Sequence, residues 1–258
     1  MQVKAADLWV SEKGGCKLLS IAPFPLSLNW RGECLNGFGQ GAGVAEWFNE
    51  EKLIIRQEGI FFEGNMKGNG HIHWFDDDTD YQGETDRGLP NGYGIGHNDA
   101  GIQIEGIYKD GVIQSGKVKL PQGGGYEGGF SDGLMDGKGI YLFPNGDRYE
   151  GDFEKGKITG NGMKKFINGN SYEGYFYEGG FFGFGTYKWK SGDYYEGDFF
   201  DNKMSGKGKL TWKNGNFYEG EFLDDNLNGY GKLVKKSGQI LQGYFVQGTF
   251  VGESPISH

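Results

Sequence analysis

The sequence predicts an all-β protein, an elongated single-layer antiparallel sheet of about ten β-hairpin repeats twisted into a curved trough. Three observations predict it. Gly128, Gly151, Gly174, Gly197, Gly220 and Gly243 follow one another at steps of 23 residues without slippage, the mark of a small supersecondary unit stacked on its own copies. Tyr, Phe and Trp recur with period-two spacing between glycine-rich turns, and no segment carries a sustained 3.6-residue apolar pattern. Glycine supplies 51 of 258 residues while Leu, Ile and Val are sparse, so ring stacking between neighbouring repeats replaces an ordinary aliphatic core.

In chain order, residues 1–27 read as a nonrepeat lead, 28–252 as the array and 253–258 as a tail. Aromatic residues stand two before and two after each anchor glycine, as in Tyr126, Gly128, Phe130 and Tyr172, Gly174, Phe176. Glycines follow at offsets five, nine and eleven, for example Gly156, Gly160 and Gly162. An apolar or aromatic pair such as Tyr187 and Trp189 comes next, and Asn145-Gly146, Asn168-Gly169, Ser191-Gly192, Asn214-Gly215 or Ser237-Gly238 closes the unit. The template extends toward the N-terminus through Gly106, Gly83, Gly59 and Gly32, most weakly at Gly106, where Ser115 and Lys117 replace glycines. The last unit stops soon after Gly252.

Each unit reads as a hairpin whose connecting loop can be chosen by parity. A two-residue loop at Asn145-Gly146 sets Tyr141 opposite Glu150, whereas a three-residue loop ending in a left-handed glycine sets it opposite Tyr149 and gathers the aromatics on one face. The other face then carries Glu127, Glu150, Glu173, Glu196 and Glu219 with Lys138, Lys165, Lys188, Lys207 and Lys209, poised for cross-strand ion pairs of about 0.2 to 1 kcal/mol each. Missing side chains beneath the rings let them lie flat. Twenty strands at roughly 4.8 Å give a sheet on the order of 95 Å before twist shortens it.

The pattern Tyr-Glu-Gly-x-Phe-x-x-Gly-x-x-x-Gly-x-Gly resembles the MORN (membrane occupation and recognition nexus) repeat, over nearly the whole chain from Trp30 onward. The first unit, Trp30-Arg31-Gly32-Glu33-Cys34-Leu35-Asn36-Gly37, resembles bacterial variants that open with Trp-x-Gly-x-Cys. The resemblance implies a protein-binding or assembly module.

A formal charge of −9, with 11 basic and 17 acidic residues up to Gly125, argues against nucleic acid as a partner. No apolar run is long enough to span a bilayer, and the opening Met1-Gln2-Val3-Lys4-Ala5-Ala6-Asp7 lacks a signal-peptide core. A soluble chain is expected. Cys16 lies in the lead and Cys34 in the first repeat, in the slot that phenylalanine holds later. A disulfide would clamp the lead over the first sheet edge, stabilising by roughly 3 kcal/mol. The alternative is two unpaired thiols, Cys34 only filling the ring slot. A disulfide would favour a periplasmic or secreted location, and free thiols a cytoplasmic one.

Motifs for chemistry are weak. His71 and His73 share a strand face ahead of Asp76, Asp77, Asp78 and Asp80, but no third His or Cys has zinc-like spacing, and a solvated acidic turn is the expected reading. Gly92-Tyr93-Gly94 and Gly206-Lys207-Gly208 belong to the repeat and open no helix for a phosphate. His71, His73, His97 and His258 lie in no nucleophile motif. No enzyme activity, cofactor or metal is expected.

The extended feature left to carry function is the aromatic ladder, Tyr126, Tyr149, Tyr172, Tyr195 and Tyr218 with their phenylalanines. Most of these rings are expected to be structural. With Tyr187, Trp47, Trp74, Trp189 and Trp212 they form the candidate groove, and the four tryptophans are expected to be its exposed members. The leading expectation is a noncatalytic scaffold binding an extended or helical protein segment. Anionic phospholipid is the alternative, with Lys157, Lys164, Lys165, Lys188 and Lys190 as local contacts, although an acidic chain is repelled by such a surface. Glycan stacking is a third. Two open sheet edges permit self-association, with residues after Phe250, including Pro255, capping one of them.

Overall fold

The computed structural model describes residues 8–12, 15–22 and 26–254; the segment opening at Met1, and Pro255 and His258 at the other end, lie outside the described residues. The chain divides into two compact units, Met1–Gly133 and Leu134–His258. Both are all-β.

In the first unit, β1 (Trp9–Ser11) and β2 (Lys17–Leu19) form a short antiparallel pair in the lead. They are followed by β3 (Ser27–Leu35), β4 (Phe38–Asn49), β5 (Lys52–Phe62), β6 (Asn65–Trp74), β7 (Thr79–Asp86), β8 (Leu89–His97), β9 (Gln103–Lys109), β10 (Val112–Lys119) and β11 (Gly125–Ser131). From β3 to β11 each strand pairs antiparallel with the next. The degenerate repeat at Gly106 is a hairpin like the others: Gly106 pairs with Gly116, and Ile113 packs over Gly106 in place of an aromatic ring.

The second unit continues in the same way. Its strands are β12 (Leu134–Leu142), β13 (Arg148–Glu154), β14 (Lys157–Lys165), β15 (Ser171–Tyr177), β16 (Gly180–Lys188) and β17 (Tyr194–Phe200). β18 (Lys203–Thr211), β19 (Phe217–Leu223), β20 (Asn226–Val234), β21 (Ile240–Val246) and β22 (Thr249–Gly252) complete it. Every sequential pair from β12 to β22 is antiparallel, and the run is open.

The loops obey the parity argument. Tyr141 stands opposite Tyr149. Phe143 N–H donates to the Asp147 carbonyl at 2.8 Å and Gly146 N–H to the Phe143 carbonyl at 2.9 Å, closing a three-residue loop in which Gly146 has φ +90°. The carboxylate of Asp147 accepts the N–H of Ile167 in the next such loop at 2.9 Å. Asn170 to Lys190, Asp193 to Lys213 and Asn216 to Lys236 repeat this link, so side chains tie consecutive loops together.

The ring face explains why the glycines pair. Gly151 stands opposite Gly162, Gly174 opposite Gly185, Gly197 opposite Gly208 and Gly220 opposite Gly231, and each pair lies under one tyrosine ring. A tyrosine hydroxyl would be costly to bury without a partner. Tyr149, Tyr172, Tyr195 and Tyr218 each donate to the carbonyl three residues on, at 2.9 to 3.1 Å. Each ring also meets the phenylalanine of the following repeat edge-on. The centroids of Tyr149 and Phe176, Tyr172 and Phe199, and Tyr218 and Phe245 lie 4.9 Å apart, and those of Tyr195 and Phe222 4.8 Å. Such pairs contribute about 0.5 to 1.5 kcal/mol beyond area burial.

The lead is tied down by a Cys16–Cys34 disulfide. β2 crosses the tight turns of the first two repeats: Lys17 N–H donates to the Gly37 carbonyl and Leu19 N–H to the Gly64 carbonyl, both at 2.9 Å. Between them Leu18 joins a buried cluster with Trp30 and Trp47. At the β3 edge the Glu12 carboxylate accepts the Trp30 N–H at 3.3 Å. The lead therefore covers turn ends and ring face as well as the edge.

Candidate functional site

The structure separates the candidate groove residues into two groups. Tyr126, Tyr149, Tyr172, Tyr195 and Tyr218 are buried, with almost no ring surface open to a ligand. Trp74, Tyr187, Trp189 and Trp212 are half-buried. The expectation that Trp47 is exposed is corrected: it is fully buried. Its indole N–H donates to Gln57 Oε1 at 2.8 Å, and Gln57 Nε2 donates to the Gly88 carbonyl at the same distance. Gln57 occupies the tyrosine slot of its repeat, and that buried amide draws the indole inward to satisfy its hydrogen bonds.

Tyr187 and Trp189, with centroids 4.8 Å apart, line a cavity of about 490 Å³ on the ring face, together with Lys164, Phe166, Phe181, Phe199 and Met204. Asn170 Nδ2 donates to the Tyr187 hydroxyl at 2.9 Å. Lys164 stands opposite Tyr149, its ammonium 4.5 Å from the Phe143 ring centre, 5.0 Å from that of Phe166 and 3.9 Å from the Asp147 carboxylate. That is a cation–π seat with a counter-ion.

The opposite face holds what the sequence reading passed over. Tyr175, Tyr177, Phe184 and Phe200 are exposed there, Phe184 and Phe200 by 62% and 66%. Phe182 joins Tyr177 and Phe200 with centroids 5.5 and 5.4 Å apart. Beside this patch a groove of about 630 Å³ runs from Phe184 to Tyr230, flanked by Glu196, Lys207, Lys209, Glu219, Glu221 and Lys232. The signal was present in the sequence: Tyr175, Tyr177 and Phe200 fall one or three residues after their anchors, where the repeat at Gly151 has Asp152 and Glu154, and Phe184 falls ten after, where that repeat has Asn161.

The acid–base pairing on this face differs from a simple glutamate–lysine ladder. Lys117 meets Glu127 at 3.3 Å as a cross-strand pair, but Lys138 meets Asp152 at 2.6 Å and Glu150 is held by Arg148 at 2.8 Å. Lys157 is engaged by Glu178 at 2.5 Å, and Lys164 by the rings described above. Two lysines named for lipid contact are thus drawn into the protein's own pairs.

His71 Nε2 and His73 Nδ1 converge on one oxygen of Asp80, at 2.6 and 3.1 Å, and His73 Nε2 lies 3.5 Å from Asp78. Burial is the largest single influence on the Asp80 carboxyl and pushes it up, but the hydrogen bonds and charges of the two histidines together outweigh it and hold the group below the usual range. Among the described residues no group of three His, Cys, Asp or Glu side chains has an arrangement to hold a metal ion.

Burial raises the phenols of the ring face. Tyr81, Tyr108, Tyr172 and Tyr218 are pushed up to about 12, and Tyr149 and Tyr195 are raised as well. An unfolded tyrosine ionises near about 10. The unfolded chain therefore gives up protons first, and the stability held below about pH 10 drains away as pH climbs through 12. Tyrosinate absorbance followed beside far-UV circular dichroism is expected to show a late class of phenols appearing together with loss of the sheet. Ionisation of all phenols near pH 10 with the sheet intact would contradict this.

Antiparallel hairpins stacked in series, with Tyr149, Tyr172, Tyr195 and Tyr218 each locked over a glycine pair, define a β-repeat protein. The chain belongs to the MORN repeat family: the family's sequence model matches residues 58–79, 81–95, 126–148, 149–171, 172–194, 195–217 and 218–240, more than half of the chain. The match is to the repeat as such and lends no support to the bacterial variant that Trp30 to Gly37 resembles. No curated protein sequence matches the chain. Among solved structures it is similar to the TCP domain of SAS-4 (dCPAP) of Drosophila melanogaster, determined in complex with a proline-rich motif of Ana2 (dSTIL). The two share 11% sequence identity, with a TM-score of 0.39, over 67% of this chain and 93% of that one.

Proposed function

We propose that this chain is a noncatalytic protein-interaction module, binding an extended or helical protein segment laid across its strands against aromatic rings. The observation that carries the reading is the exposure of Phe184 and Phe200 beside Tyr175 and Tyr177. Exposed aromatic surface of this kind has a solvation cost that a partner removes. The groove beside it, with glycine backbone as floor and both signs of charge on its walls, suits a segment that meets backbone and side chains alike. The half-buried Tyr187 and Trp189 offer a second seat on the ring face.

The test is affinity capture at low and moderate salt, with Phe184→Ser/Phe200→Ser and Trp189→Ala run in parallel against anionic vesicles and a glycan panel. A protein retained by the wild type at both salts and lost from the first variant supports this reading and its face. Loss from Trp189→Ala alone moves the seat to the ring face. Recovery of lipid or glycan and no protein overturns it.

A further inference from the structure

A cavity of about 340 Å³ in the first unit lies against Trp74, Tyr81 and Tyr108, with Gly96 on its wall and Asp77 and Asp80 among its lining residues. Its origin is legible by comparing two repeats. Gly96 stands opposite Tyr81 as Lys164 stands opposite Tyr149. Trp74 follows Ile72, the other neighbour of Tyr81, as Phe143 follows Tyr141, the other neighbour of Tyr149. Tyr108 meets Tyr81 edge-on at 5.1 Å as Phe176 meets Tyr149 at 4.9 Å. In the repeat of Tyr149 this slot is filled from within by the Lys164 ammonium, held against aromatic rings and a carboxylate, where Tyr187, Leu210 and Leu233 stand in the later repeats. In the first unit glycine sends nothing into it, and an indole takes the place of the phenyl ring.

We propose that this cavity is a recognition site for a cationic side chain, the Lys or Arg of a basic protein segment. An ammonium or guanidinium seated on an indole face is attracted by the ring's quadrupole, and most strongly by tryptophan. The surrounding charge agrees. Residues 76–110 carry nine acidic side chains and two basic ones, so most of the chain's net negative charge lies in this stretch. Asp77 is exposed in the turn and half-buried Asp80 is held ionised by its histidine partners. Such a field draws cations to the cavity mouth and repels carboxylates. That the cation arrives on a protein rests on the reading above; the preference for positive charge does not.

The test uses short capped peptides, Gly-Arg-Gly and Gly-Lys-Gly, against their neutral counterparts with citrulline and acetyl-lysine. Binding to the full chain is followed by NMR at the Trp74 indole N–H. The cationic peptides are expected to bind at least about tenfold more tightly, and added salt to weaken them. Gly96→Lys supplies an internal ammonium like that of Lys164. Its Cβ meets the Tyr108 hydroxyl at 3.3 Å and the Asp80 carbonyl at 3.4 Å, a fit that asks only a small shift. This variant is expected to keep its thermal midpoint and lose the peptide shift. Asp77→Asn, at an exposed turn, is expected to weaken binding several-fold with the fold untouched. Equal binding of charged and neutral peptides, or full binding by a folded Gly96→Lys chain, overturns the inference. Cation selectivity at Trp74 with no protein recovered by affinity capture would instead sink the wider reading and leave this one standing.

Discussion

Gly185→Ala is expected to lower stability by about 3 kcal/mol and to free the Tyr172 ring. Gly185 has ordinary backbone geometry, so its requirement for glycine is one of space alone. A methyl group there would lie 2.5 Å from the Tyr172 hydroxyl and 2.7 Å from its Cε2 and Cζ. The ring cannot move away freely. It stacks on Phe181 at 3.9 Å, meets Phe199 edge-on at 4.9 Å, and its hydroxyl is held by the Tyr175 carbonyl. Displacing it therefore opens the joint between two repeats, and repeat arrays are stabilised joint by joint. Gly179→Ala is the control. That glycine has φ +85° and nothing within 4 Å of its added methyl, so only backbone strain of about 1 kcal/mol is at stake. Denaturant unfolding followed by near-UV circular dichroism separates the two. Equal, small losses for both variants would show that the tyrosine is not locked over the glycine pair.

Reducing the disulfide, or replacing Cys34 by serine, is expected to lower the stability of the first unit by about 3 kcal/mol in the chain-entropy account of a loop of this length. The effect has a local signature. Leu19 N–H donates across to Gly64, and Leu18 beside it is fully buried with Trp30 and Trp47. Once Cys16 is released, that hydrogen bond depends on a three-residue strand, so Leu19 is expected to lose most of its protection from hydrogen exchange. Ladder amides of β15 to β20 in the second unit are expected to exchange as before. An unchanged thermal midpoint with Leu19 still protected would show that burial of Leu18 alone holds the lead.

The fold was legible because its rules repeat. Period-two aromatics gave strands, the 23-residue step gave hairpin order, and parity alone fixed the loop that sets Tyr141 opposite Tyr149. Sites were less legible, because one residue at a template position can be buried or exposed according to its neighbours. Trp47 has the spacing of an exposed groove residue, but the buried amide of Gln57 holds its indole N–H inside. Phe184 and Phe200 are hard to read as a site because they share a face with glutamates and lysines. Gly96 is one glycine among many in the sequence, and only the strand register places it opposite Tyr81, as Lys164 is opposite Tyr149 in its own repeat.

The contact of each tyrosine with the phenylalanine of the following repeat has a genetic consequence. In the second unit Tyr149, Tyr172, Tyr195 and Tyr218 stand one whole repeat apart, and so do their phenylalanine partners. An in-frame duplication or loss of one such block joins sequences that already meet this way elsewhere in the chain. Array length can then change by whole blocks at little energetic cost, whereas insertion of a single codon within a strand turns the rest of that strand to the wrong face unless a bulge takes up the extra residue.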